Sequence, residues 1–214
     1  MKKVIFLLAT IITMSACTEN QNPFMTEWNT PEGVPPFEQI KVEHYQPAFE
    51  AGIAEQAAEI EAIVNSSEAP TFENTILALD RSGKLLAKVS GVFFNLTESD
   101  NSPEMIAVMN VVLPLVSEHG DNIYMNAGLY KRVAELYNNK EQFDYTTEQL
   151  TLLNKIYKNF IGNGVGLPEA EQARMREINK EISALQQTFG NNIVAETNAY
   201  QMVIENEADL AGLP

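Results

Sequence analysis

Apolar residues between Phe72 and Leu96 recur at three- and four-residue steps: Phe72, Ile76, Leu79, Leu86, Val89, Phe93 and Leu96. That is the period of a helix with one buried face. The spacing predicts one continuous helix from Phe72 to Thr97, roughly 40 Å long at 1.5 Å per residue. Thr71 is placed to N-cap it, and Glu73 adds negative charge to its first turn, where the helix dipole favours it. Gly83 sits inside the Leu79–Leu86 heptad as a point where a neighbouring backbone can come close.

The same period returns along the chain. Phe49, Ile53, Ala57, Ile60 and Val64 form a stripe behind Pro47, a residue suited to a first helical turn, and Asn65-Ser66-Ser67 with Pro70 ends it. Ser102-Pro103-Glu104 opens a helix whose buried side is Met105, Ile106, Met109, Val112 and Val116. Pro114 inside that run predicts a kink, and Gly120 to Asn126 a break. Leu129, Val133, Leu136 and Tyr137 mark a short helix. Thr146 and Gln149 have the spacing of a capping box ahead of Leu150, Leu153, Ile156, Tyr157 and Phe160.

After the interruption Gly162-Asn163-Gly164-Val165-Gly166, Pro168 starts a helix expected to reach Asn198. Its stripe of Met175, Ile178, Ile182, Leu185 and Phe189 needs a neighbour to cover it. Tyr200 to Ile204 reads as a short strand, yet no second strand is in sight to pair with it. The expectation is an all-α fold of five or six helices, several of them long. They form a multi-helix bundle or layer with one short C-terminal strand. The lone strand, and a stop at Gly212-Leu213-Pro214 where a proline would commonly open another helix, suggest a fragment of a larger helical protein.

Composition narrows the class. The 214 residues are 45% hydrophobic and 20% charged, as in a globular chain. A formal charge of -15 argues against nucleic acid, whose phosphates call for clustered lysine and arginine. Lys2-Lys3 and the apolar run from Val4 to Ile12 read as the charged and hydrophobic regions of a secretory signal, too short to span a bilayer comfortably, with an uncleaved anchor as the minor alternative. Met14-Ser15-Ala16-Cys17 resembles a bacterial lipobox, which implies lipid attachment at Cys17. The expected division is a signal peptide over 1–16, a tether over 17–36 and a helical domain over 37–214. Thr18, in place of an aspartate, points to a cell-envelope protein lipid-anchored at the outer membrane and facing the periplasm. Phe24 and Trp28 either dock on the domain or touch lipid. Cys17 is the only cysteine, so no disulfide forms within the chain.

Candidate chemistry is sparse. Glu43-His44 and Glu118-His119 pair acids with histidines, but adjacent helical residues point about 100° apart and are poorly set to share a metal. The glycines at 162, 164 and 166 follow no strand and precede no Walker lysine, so a hinge or connector is the better reading. Asn65-Ser66-Ser67 and Asn95-Leu96-Thr97 match the glycosylation tripeptide, an idle match in a bacterial lipoprotein. No Ser-His-Asp or Cys-His nucleophile set can be assembled.

Several short stretches fall in a recognisable order. They are Pro35-Pro36-Phe37, His44 to Glu50, Pro70 to Gly83, Leu113-Pro114-Leu115, Gly166-Leu167-Pro168, Ile178 to Ser183 and Leu210 to Pro214. Together they resemble the N-terminal part of thimet-oligopeptidase-like zinc metallopeptidases, chiefly the bacterial peptidyl-dipeptidase branch, with oligopeptidase A next. The resemblance implies a helical wall of a deep channel that admits short peptides. It also implies zinc-dependent release of C-terminal dipeptides, or cleavage within oligopeptides, by the full-length protein. The family's zinc motif is His-Glu-x-x-His, and the only histidines, His44 and His119, do not open it. No catalytic or metal-binding residue can therefore be assigned, and the 214 residues alone are expected to bind no zinc and to be inactive. The alternative is a non-catalytic helical envelope lipoprotein that binds peptides or a protein partner.

Overall fold

The computed structural model describes residues 21–100 and 102–212. Six helices of twelve residues or more make up most of it: α1 (Tyr45–Val64), α3 (Lys84–Ser99), α4 (Pro103–Tyr124), α5 (Ala127–Asn138), α6 (Thr147–Gly162) and α7 (Glu169–Ala199). A π-helical turn, Phe72–Leu77, runs into the short α2 (Ala78–Asp80). The fold is all-α. Tyr200 to Ile204 is not a strand, because a ladder needs a second strand and the described residues contain none.

The long helix expected from Phe72 to Thr97 is two pieces. Gly83 takes φ 72°, ψ 33°, a left-handed conformation that ends α2 and opens α3 in a new direction. Its N–H donates to Glu59 Oε2 at 2.7 Å, so the break is fastened to α1. The close backbone approach lies elsewhere. A Cβ on Gly52 would sit 2.7 Å from the backbone nitrogen of Leu86, so α1 and α3 pack at glycine distance there. The expected break at Gly120 does not occur: α4 runs through it to Tyr124, with Pro114 inside the helix.

Helix starts follow the sequence closely. Thr71 Oγ1 accepts from the Asn74 N–H at 3.1 Å, and Asn74 Oδ1 accepts from the Thr71 N–H at 2.8 Å. Thr146 and Gln149 make the same reciprocal box at 3.2 and 2.9 Å, and the Ser102 side chain caps α4. Asn74 Oδ1 also accepts from Arg132 Nη2 at 3.1 Å, while Arg132 Nη1 donates to the carbonyls of Ser66 and Glu68 at 3.3 and 3.0 Å. The buried guanidinium thus ties the loop before α2 to α5.

Two cores lie end to end, and α1 and α4 contribute to both. The first gathers Phe49, Leu86, Val89, Phe93, Met109 and Val112 from α1, α3 and α4. Phe93 is its centre, edge-on to Tyr45 and Phe49 with ring centroids at 4.9 and 5.4 Å. The second gathers Ile60, Ile76, Ile123, Val133, Leu153 and Phe160 from α1, the π turn, α4, α5 and α6. Part of the stretch expected as a tether belongs to the first core. Phe24 is buried against Tyr45 at 5.3 Å, and Lys88 Nζ donates to the carbonyls of Phe24 and Thr26 while lying 4.2 Å over the Trp28 ring. The signal stretch and Cys17 lie outside the described residues.

Helix α7 stands apart. It runs antiparallel to α4 and touches it through polar side chains. Arg176 Nη1 donates to Asn122 Oδ1 at 3.0 Å, Asn179 Nδ2 to Asp121 Oδ1 at 2.8 Å, and Ser183 Oγ lies 3.2 Å from Ser117 Oγ. At about 100° per residue its apolar stripe is centred roughly 110° around the helix from these contacts, on a flank turned to solvent. Ile178, Ile182, Leu185, Phe189 and Ile193 are all exposed, and no residue of α7 is buried.

Candidate functional site

At the junction of the two cores α1 carries Gln56, α4 carries His119, and Ser82 stands just before the left-handed break. Gln56 Nε2 donates to Ser82 Oγ at 3.0 Å, and Ser82 Oγ donates onward to the Leu79 carbonyl at 2.8 Å. Gln56 Oε1 lies 2.9 Å from His119 Nε2. A carbonyl oxygen only accepts, so His119 carries its proton on Nε2 and keeps a lone pair on Nδ1. The ring is 6% exposed, and burial holds its pKa below the ordinary histidine value.

A groove of about 610 Å³ opens beside this node, between α1 and α4. Ile53, Ala57, Val64 and Leu115 form its apolar floor, Glu50, Glu61 and Glu118 its rim, and His119 lines it as well. A second groove of about 800 Å³ separates α7 from α3 and α4. Phe94, Ile106 and Met109 line one side of it, and the amides of Gln187, Asn191 and Asn198 the other.

The residues present do not fit a zinc site. Among the described residues no group of three or more His, Cys, Asp and Glu side chains is placed to hold a metal ion. His44 Nδ1 accepts from the Lys41 N–H at 3.0 Å in the turn before α1, so that histidine caps a helix start. Glu43 lies 3.9 Å from Lys41, an exposed pair. The two histidines serve different elements, and each is tied to its own neighbours. Gly162 to Gly166 is the connector between α6 and α7, as expected.

Sequence reasoning missed Gln56 altogether. A glutamine on a helix carries no motif, and its role appears only when the break at Gly83 brings Ser82 beneath it. Arg132 was equally silent, because its partners are backbone carbonyls 64 and 66 residues away.

No family model matches the chain. Similarity to individual proteins is clear. The chain is 33% identical over 192 residues to the dipeptidyl carboxypeptidase of Escherichia coli (strain K12), covering 90% of this chain and 28% of that protein. It is 36% identical over 183 residues to oligopeptidase A of Haemophilus influenzae, covering 86% and 27% of the two chains. To the organellar oligopeptidase A of Arabidopsis thaliana it is 21% identical over 197 residues, covering 92% and 24%. This chain is a homologue of those peptidases. It spans less than a third of the length of each of these relatives.

Proposed function

We propose that the chain is the N-terminal helical part of a thimet-oligopeptidase-like zinc metallopeptidase that cleaves short peptides. In this reading it forms one wall of the substrate channel, and the catalytic machinery lies in sequence beyond these 214 residues. The observation that carries it is the match of 90% of this chain to 28% of a dipeptidyl carboxypeptidase. Two features support it. Neither histidine opens a His-Glu-x-x-His motif, so bond cleavage needs residues not present here. Helix α7 turns its apolar side away from its own bundle, as a helix does when a further body of protein covers it.

The coding DNA downstream of codon 214 tests the reading. A continuing frame with His-Glu-x-x-His, whose product binds zinc and cleaves a fluorogenic peptide, is the expected result. Zinc-dependent cleavage by the 214 residues alone overturns the division of labour. A continuing frame without the motif overturns the peptidase assignment.

We also propose that Cys17 carries a lipid anchor that holds the protein at the outer membrane, facing the periplasm. The charged and apolar residues before it and the small residues at 15 and 16 support this. Radiolabelled palmitate should enter the wild-type protein and not Cys17→Ser; equal labelling of both rejects the anchor.

A further inference from the structure

The groove between α1 and α4 offers acceptors around an apolar floor and no cation of its own. Glu50 and Glu61 stand on α1 eleven residues apart, roughly 16 Å along the helix axis. Glu118 faces them from α4, and no lysine or arginine lines the space. Among the described residues the only ion pairs are Lys41–Glu43 and Arg174–Glu177, so none of the three carboxylates is ion-paired, although Glu118 also lines a smaller space with Arg176 and Lys180 of α7.

His119 adds a fourth acceptor. Its Nε2–H is committed to Gln56, and its Nδ1 makes no hydrogen bond to any described residue. The ring lines the groove and its Nδ1 is not shut away from solvent, so an occupant carrying an N–H or O–H can donate to it there. Below it, Ile53, Ala57, Val64 and Leu115 call for apolar groups. The occupant these features describe is extended, donor-rich and apolar by turns. About five residues of extended chain span the same 16 Å or so, and a volume of about 610 Å³ is in the range of small-ligand sites.

We propose that this groove binds short cationic peptides, seating apolar side chains on Ile53, Val64 and Leu115 and lysine or arginine groups against Glu50, Glu61 and Glu118. The inference deepens the peptide-cleaving reading and rests on it for the class of ligand, but its test reads binding, not hydrolysis.

The test uses the purified 214-residue chain and two fluorescein-labelled pentapeptide amides, Lys-Leu-Lys-Phe-Lys and Glu-Leu-Glu-Phe-Glu, followed by fluorescence anisotropy. The lysine peptide should bind at least about ten-fold more tightly, and its affinity should fall as salt is raised. Glu61→Gln with Glu118→Gln should weaken it about three- to ten-fold, two partly screened charge contacts being lost. Ala57→Trp, at an exposed position, fills the floor and leaves every charge in place; it should abolish binding with the helical circular dichroism unchanged. Undetectable binding, equal binding of the two peptides, or full binding by folded Ala57→Trp overturns the proposal. The last outcome would put the peptide elsewhere on the acidic surface. Groove binding that survives alongside a continuing frame without His-Glu-x-x-His would sink the peptidase reading alone.

Discussion

His119 Nε2 and Gln56 Oε1 are 2.9 Å apart across the line where the two cores meet. The bond joins α1 to α4 at the level of the α2–α3 break, because the same Gln56 side chain also holds Ser82. Protonating His119 would place a charge at a 6% exposed site whose partner, Gln56, is neutral. Burial therefore keeps its folded pKa below the unfolded value of 6.5. In the window between the two values the unfolded chain binds the extra proton. Stability from this group is then complete above about pH 6.5 and falls as pH drops through the folded value. Urea unfolding between pH 8 and pH 5 should show this slope, and His119→Gln should flatten it. An unchanged slope in that variant would assign the pH dependence to the carboxylates.

Gly83 should be among the least replaceable residues. Its φ of 72° costs a side-chain-bearing residue about 1–2 kcal/mol, and an added Cβ would lie 2.5 Å from the Gln56 side chain. Gly83→Ala should thus destabilise the fold by about 2 kcal/mol or more and disturb the His119 contact. Gly83→Ala made together with Gln56→Ala removes the clash and keeps the backbone strain. If the double variant is no more stable than Gly83→Ala, the crowding argument is wrong.

Much of this architecture was legible in the pattern of the chain. Helix starts were, because a cap is a local bargain between residues three apart, as at Thr71–Asn74 and Thr146–Gln149. The uncovered stripe on α7 was legible too, since period alone says which residues share a face. What the pattern hid was direction. Leu79 and Leu86 keep helical phase across Gly83, so a heptad count runs straight through a left-handed turn that only φ reveals. Gly120 misled in the opposite sense, since a glycine weakens a helix by only about 1 kcal/mol and tertiary packing of Val112 and Ile123 holds α4 intact. The α1/α4 groove was invisible because Glu50, Glu61 and Glu118 read singly as ordinary solvated charges.

Asn74 is a hub as well as a cap. Its Oδ1 accepts from Thr71, Thr75 and Arg132, and its Nδ2 donates to the Ala69 carbonyl at 2.9 Å. Asn74→Ala removes the cap and takes from the buried Arg132 the partner of its Nη2, in a residue whose Nε already lacks one. The expected cost is about 1–3 kcal/mol in urea unfolding. Adding Arg132→Leu should recover part of it, since a buried charge with few partners is itself unfavourable. Strictly additive losses in the double variant would show that the two side chains are independent.

The sharpest contrast concerns α7 and the first core. Phe93 is 0% exposed at the centre of the aromatic cluster, whereas Leu185 and Phe189 are 61% and 67% exposed on the outer face of α7. Phe93→Ala should cost about 3–5 kcal/mol through lost contacts and the cavity left behind. Leu185→Gln and Phe189→Gln, equally apolar losses by composition, should each change the stability of the 214-residue chain by no more than about 0.5 kcal/mol, because those side chains leave little apolar area to lose. The same two substitutions should lower binding of the dye ANS, and any concentration-dependent association, since they shorten the exposed stripe. On the proposed reading, in which a further body of protein covers the stripe, they should become costly once that protein is joined on. A large loss of stability in the 214-residue chain on its own would mean that the stripe is already covered within it, and that nothing further needs to pack there.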